Sequence, residues 1–434
     1  MTATLIAKRP TPRLDVLRVT HVRGFFGLIA VGSIADAITT LAIAHVVVFR
    51  LAGGTSPSAI AQGLLTMTLP SLVAGPLAGI VSDRWDRRRV LRGAHLARGL
   101  ITLVAISVPV LESRQIGYLL TSLLLGLTSI GYNARATGLP HLVNAHQLLN
   151  ANSLMSLTAK VAGSAGFALS AVLLTSSPIH ALLVAGLLQS LAALGWQRFP
   201  HDLGGRNAEA LEHDKWSVAA RRVLRLATTG HTRRAILTAA YMRVGLGATF
   251  VSLLLWVDAR LDPSAVGYAL VLSVGGTGAF VGTVITPFVC SRIRRRTIVI
   301  TAFVIGGSTC SLAGALPMRE TVMLAMFASA VCMQLVHLLT DATVQHAIAD
   351  DALGRVYSVY NMSYSVASLI GAFGALAIPT DMPSVRFLLV ALFGVIGALG
   401  QCWPPSFEHP ALASDFGAPV VLNPFKRSPR RSTC

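Results

Sequence analysis

The sequence predicts an all-α membrane protein of twelve transmembrane helices in two pseudo-symmetric six-helix bundles. Three observations carry this. The first is composition: 53% of the 434 residues are hydrophobic and only 12% are charged, about half the charged share of a water-soluble domain. The second is that the apolar residues fall in runs of about 20 or more, the length a helix needs to cross a bilayer core. The third is that the basic residues behind the net charge of +18 gather in alternate connections.

Taken in order, residues 1–23 are polar and basic. The apolar run after them is too long for a signal-peptide core and no small-residue cleavage site follows, so it reads as a retained first span. The spans are 24–49, 57–81, 90–111, 116–138, 148–174 and 178–196, then 235–257, 264–289, 297–317, 320–342, 355–378 and 383–403. Runs of this length exclude barrel strands, which alternate and stay near ten residues. Most connections are short, so successive helices pack as antiparallel neighbours. The exception is 197–234, polar and charged, which divides the chain into bundles 24–196 and 235–403. Within it "WSVAARRVLRLA" (216–227) has one apolar and one basic face and is expected on the anionic inner leaflet. Residues 404–434 form a basic tail.

The charges have an address. Arg84, Arg87, Arg88, Arg89 and Arg92 follow span two; Arg198 to Arg234 fill the linker; Arg292, Arg294, Arg295 and Arg296 follow span eight; Lys426, Arg427, Arg430 and Arg431 lie in the tail. The other side holds scattered cases such as Arg50, Arg114, Arg260, Arg319 and Arg386. This is the positive-inside pattern, with both termini in the cytoplasm. An Arg- and Ala-rich bacterial chain of this kind is expected in the inner membrane. A nucleic-acid role is excluded by the same placement, since the basic residues lack interleaved aromatics and any binding motif. The five cysteines, Cys290, Cys310, Cys332, Cys402 and Cys434, show no metal-ligand spacing and no disulfide framework. No P-loop or nucleophile elbow is present. The expectation is therefore a non-enzyme without cofactor or metal. Its partners are a small-molecule solute, protons and the bilayer, and it acts as a monomer.

The halves repeat one another. "LPHLVNAHQLLNANSL" (139–154) aligns without gaps on "VQHAIADDALGRVYSV" (344–359), placing His141 on His346, Leu148 on Leu353 and Ser153 on Ser358. "SDRWDRRRV" (82–90) and "CSRIRRRTI" (290–298) both join the second and third spans of a half. Repeated six-helix halves are a transporter architecture, with a solute site at midplane between them.

Gly79, Asp83, Arg84, Arg87, Arg88 and Leu91 match the loop-two-three signature of the major facilitator superfamily, which the chain resembles. The stretch 133–154 is similar to the corresponding segment of its enterobactin-exporter-like and macrolide-efflux-like branch. The resemblance implies a secondary transporter working by alternating access and exporting a small organic molecule, a siderophore or drug-like compound, in exchange for protons. An importer or facilitator of a small anionic solute, or a sensor that moves nothing, are the rival readings. The resemblance also implies a cytoplasmic gate in which Asp83 meets the start of span eleven, near Asp350, Asp351 and Arg355. Asp350 and Asp351 could cap that helix themselves, leaving Arg355 or Arg84 as the partner of Asp83. Holding topology is the plainer role for the Arg run. Ser291 stands where the second half would carry the matching Asp, and "GSAGFA" (163–168) departs from the Gly-Pro pattern of exporters.

Ionisable groups inside spans carry the most information, because each costs at least about 2.5 kcal/mol at a helix centre. Asp36 lies mid-span in span one and Lys160 mid-span in span five. Their similar depth suggests an Asp36–Lys160 pair, either a protonation switch or a fixed packing pair. Arg98, Arg243, His45 and His337 lie less deep. Arg243 could anchor a solute or snorkel to the interface. Gln334, His337 and Asp341 share one face of span ten and form a binding candidate. Tyr132, Tyr357, Tyr360 and Tyr364 could stack on an aromatic ligand or form an interfacial belt.

Overall fold

The computed structural model describes residues 17, 20–44, 57–107, 114–144, 147–205, 216–228, 230–260, 265–379 and 382–402. His45, the segment 1–16, the linker stretch 206–215 and the tail 404–434 lie outside the described residues.

Six long helices form the first half: α1 (Thr20–Ala44), α2 (Pro57–Arg84), α3 (Arg87–Ser107), α4 (Arg114–Gly138), α5 (Leu148–Leu174) and α6 (Pro178–Arg198). A short helix, α7 (Trp216–Ala227), follows. The second half is α8 (Gly230–Arg260), α9 (Ala265–Cys290), α10 (Arg295–Ala315), α11 (Arg319–Ala347), α12 (Asp350–Leu376) and α13 (Pro383–Cys402). Eight of these helices are long and apolar enough to cross a membrane on their own composition. The others include α3 and α12, which carry charge at one end and polar residues along a buried face. Pro70 and Pro76 lie inside α2, and Pro287 inside α9. Membrane helices tolerate such residues where neighbours satisfy the freed backbone groups.

The packing repeats. In the first half α1 lies against α5 and α6, α3 against α4 and α6, and α2 against α4. In the second, α8 lies against α12 and α13, α10 against α11 and α13, and α9 against α11. The aligned serines hold equivalent places. Ser153 of α5 donates to the Thr283 carbonyl of α9 at 2.7 Å, and Ser358 of α12 accepts from Asn133 of α4 at 2.7 Å. Each fastens one half to the other. Two further helix pairs join the halves, α2 with α12 and α5 with α11.

Helix α7 departs from the sequence expectation. Its Val223 and Ala227 are buried in a core with Ile348, Ala352 and Leu353 of the second half, so that part of its apolar face covers protein rather than lipid. Its position after only a short connection to α8 holds it there. Arg221, Leu224 and Arg225 stay exposed. The connection leaving α6 is also structured. Phe199 and Leu203 are buried, and Gly204 and Gly205 adopt φ of 76° and 89°. Only glycine takes such angles without strain, and a Cβ at Gly205 would come within 2.7 Å of the Ser82 carbonyl.

Candidate functional site

The end of α2 meets the start of α12. Oδ1 of Asp83 accepts from the Gly354 amide at 2.7 Å, and Oδ2 accepts from the Arg355 amide and Nε at 3.1 and 3.0 Å. Gly79 lies one turn earlier, where a Cβ would come within 2.6 Å of Ser358 Oγ and 2.8 Å of Arg355 Cα. Arg87 is wholly buried. It donates to the carbonyls of Ser82, Thr137 and Leu203, each at 3.0 Å. It also pairs with Asp350 at 2.6 Å, and Asp350 contacts His141 at 2.9 Å. Arg88 donates to the Phe199 carbonyl at 2.9 Å. Arg84 has no ion pair among the described residues. Asp350 therefore faces Arg87 rather than capping its own helix with its side chain. Burial alone would raise the Asp350 carboxyl, but the His141 hydrogen bond and the Arg87 charge outweigh it and hold the group down at about 2. Burial dominates at Asp83 and pushes it up to about 6, against the Gly354 amide, Arg355 and Arg87.

The expected Asp36–Lys160 pair does not form. Arg98 Nη1 donates to both carboxylate oxygens of Asp36, at 2.6 and 2.7 Å. Gln189 Nε2 adds a third bond at 2.7 Å. His95 joins the network, 2.6 Å from Gln189 and 3.0 Å from Arg98. The reason is helical register. Ile34 and Ala37 face Gly166 of α5, and the Ile38 carbonyl accepts from Ser170, which turns Asp36 away from α5 towards α3 and α6. Lys160 instead donates to Ser156 at 2.6 Å, and Ser156 also accepts from Gln334 at 3.2 Å. A pocket lined by Asp36, His95, Arg98, Thr128, Tyr132 and Arg135 opens beside the network, with about 20 Å³ of room for the centre of a water molecule. That is enough for a water or two.

The remaining candidates meet between the halves. Tyr357 donates to Asp341 at 2.6 Å. His337 lies 3.5 Å from the same carboxylate, 2.5 Å from the Tyr360 hydroxyl and 3.4 Å from that of Tyr132. The Arg243 guanidinium stacks 4.4 Å over Tyr364 and so points inward instead of snorkelling. Arg135 lies 4.9 Å over Tyr132. Lys160 is within electrostatic reach of Asp341 and Arg135. Tyr357 and Tyr360 are fully buried, which places them in the interior and not in an interfacial belt.

Sequence reasoning singled out neither Arg135 nor the His95–Gln189 pair, and it did not match Arg98 with Asp36. A signal existed: Gln189 is a lone amide in an otherwise apolar span, and Arg98 falls on the same side of α3 as His95.

Residues 25–372 match the sequence profile of the Major Facilitator Superfamily. An uncharacterized MFS-type transporter of Mycobacterium tuberculosis is 28% identical over 387 residues, 82% of this chain and 85% of that one. A bacterial homologue of the iron transporter ferroportin, solved in an outward-facing state, superposes with a TM-score of 0.65 at 14% identity, covering 89% of this chain and all of that one. The human organic anion transporter MFSD10 gives the same score and identity over 88% and 99%. At such identity the likeness to both structures is one of fold.

Proposed function

This chain belongs to the major facilitator superfamily and is a multi-pass membrane transporter, and on that premise we propose that it carries a small organic anion through the site between its halves, with Asp36 as the proton-binding group. The observation that carries the reading is the charge of that site. Among the described residues four cations, Arg98, Arg135 and Lys160 from one half and Arg243 from the other, meet two acids: Asp36, which pairs with Arg98 and also acts on Arg135, and Asp341, which acts on Lys160. An acidic chelator such as a carboxylate siderophore fits a site of this sign.

Orientation follows from the basic loops. If they face the cytoplasm, the end joined by Asp83–Gly354 and Arg87–Asp350 is the cytoplasmic gate, held shut, and the solute site is reached from outside. Gly79, Asp83, Arg87, Arg88 and Arg355 then form the latch, and rocking of the halves exposes the site to either side in turn.

Charge also sets the sign of coupling. A proton on Asp36 releases Arg98 into a pocket that Arg135 shares, which strengthens binding of an anion; the anion in turn favours the proton on Asp36. Linkage of this kind is reciprocal and drives the two in the same direction. Anion uptake with protons is thus the reading the geometry favours. Export in exchange for protons, which the branch resemblance implies, needs a ligand that competes with the proton, hence one carrying positive charge to Asp36.

The test is proton uptake on binding. In weakly buffered solution at neutral pH, addition of naphthalene-2,6-dicarboxylate to purified protein should raise the pH of the medium, and Asp36→Asn should remove that rise. Proton release on binding contradicts cotransport.

A further inference from the structure

We propose that the ligand is a flat aromatic molecule bearing two acidic groups, one held by Arg135 and one by Arg243, with its ring against Tyr132 and Tyr364. This rests on the reading of the site as an anion site and narrows it to a class of substrate.

Two features of the arginines point to acids. Each guanidinium stacks on a tyrosine ring, and neither forms an ion pair among the described residues. The Nε of each is shielded from solvent and lacks a hydrogen-bond partner, whereas buried donors are nearly always satisfied. A planar guanidinium with free donors matches a carboxylate, which accepts two parallel bonds from its fork.

The number of acids follows from charge. With histidines uncharged, the cations Arg98, Arg135, Lys160 and Arg243 meet two acids, Asp36 and Asp341, among the described residues. Two positive charges remain. Burying them without anions is costly in a low-dielectric interior, and a dianion neutralises them. Because the two arginines come from different halves, a two-headed ligand can bridge the halves, and a single acid can reach only one side.

The aromatic part follows from what lies between. Ring centroids step from Tyr132 to Tyr357 at 6.3 Å, on to Tyr360 at 5.6 Å and on to Tyr364 at 6.2 Å. Arg135 stands over the first ring and Arg243 over the last, and the row folds back around His337, which lies 3.4 Å from the Tyr132 hydroxyl and 5.2 Å, centroid to centroid, from the Tyr364 ring. The inner rings are buried, and those of Tyr132 and Tyr364 remain partly exposed. Partly exposed aromatic faces beside fixed cations favour a flat π-system over an aliphatic chain.

Calorimetric binding to the purified full-length protein tests this with four probes: naphthalene-2,6-dicarboxylate, 2-naphthoate, adipate and 2-naphthylmethylammonium. The dicarboxylate should bind at least about tenfold more tightly than each of the others. Arg135→Gln and Arg243→Gln should each abolish the preference for two acids over one. Tyr364→Leu should abolish the preference for aromatic over aliphatic diacid, and Tyr364→Phe should keep it. If a glutamine variant does not fold, Arg→Lys at the same position removes the fork while keeping the charge and should weaken the two diacids more than 2-naphthoate. Equal binding of naphthoate and dicarboxylate, or of adipate and dicarboxylate, overturns this inference while leaving anion transport standing. Tightest binding of the ammonium probe overturns both, and no binding of the dicarboxylate below millimolar concentration overturns the inference.

Discussion

Arg98 grips Asp36 through a single nitrogen that reaches both carboxylate oxygens, at 2.6 and 2.7 Å, in the middle of the first half. Arg98 is almost wholly buried, and the Asp36 side chain is about a third exposed, at 31%. The pair is thus fixed on one side and open to the pocket on the other. Asp36→Asn should lower stability by about 1.5–3 kcal/mol through the lost charge-assisted bonds. Arg98→Gln in the same chain should recover part of that loss, since no lone charge is then left. Thermal unfolding of the single and double variants checks this; additive losses would show that the pair is not coupled.

Arg87 joins four separate segments: its own loop, the end of α4, the linker start at Leu203 and the first residue of α12. Arg87→Ala frees the linker and leaves the carbonyls of Ser82, Thr137 and Leu203 without this donor, removing about 1–3 kcal/mol from the closed arrangement. Spin labels at Trp85→Cys and His346→Cys, on a background with the native cysteines replaced, should move apart in this variant. An unchanged distance distribution would show that Arg87 serves topology alone.

Two glycines give a controlled comparison. A Cβ at Gly79 meets the backbone of α12 within 2.9 Å, whereas one at Gly93 meets nothing within 4 Å. Gly79→Ala should therefore open the same label pair. Gly93→Ala should leave it closed and add up to about 1 kcal/mol from helix propensity. Equal behaviour of the two variants would remove the close approach of α2 and α12 from the account.

The closed latch should also respond to pH, with a definite sign. Burial raises Asp83 from 3.8 to about 6, so the closed state holds that proton more tightly than a state in which Asp83 meets water. Closure is favoured as pH falls through about 6, and above it the desolvated charge works against closure. Asp350 is shifted the other way, to about 2, so its contribution is complete above about 4 and constant over this window. The closed fraction from the label pair should rise between pH 7.5 and 5.5. A fall over that interval contradicts the assignment.

Much of the architecture was legible because membrane helices announce themselves by length, and the repeat by aligned positions such as Ser153 and Ser358. Pairing inside the bundle was not. Depth placed Asp36 level with Lys160, but contact depends on which way a residue faces around its helix, and that was set by Gly166 packing on Ile34 and Ala37. Arg98 lay hidden for a related reason: its bond to Asp36 depends on how α3 faces α1, while the guanidinium itself folds back to the Ala94 carbonyl one turn earlier on its own helix. Arg135 looked like one more basic residue at a helix end. It stacks on Tyr132, three residues earlier on the same helix, and lines the pocket beside Asp36 and Arg98.

The most direct test is accumulation of naphthalene-2,6-dicarboxylate by sealed vesicles containing the purified protein. An acid exterior should drive uptake in either orientation of the protein, Asp36→Asn should abolish the dependence on the gradient, and Arg243→Gln should abolish uptake. Uptake driven instead by an acid interior would show that proton and solute move in opposite directions and would contradict the coupling drawn from Asp36, Arg98 and Arg135.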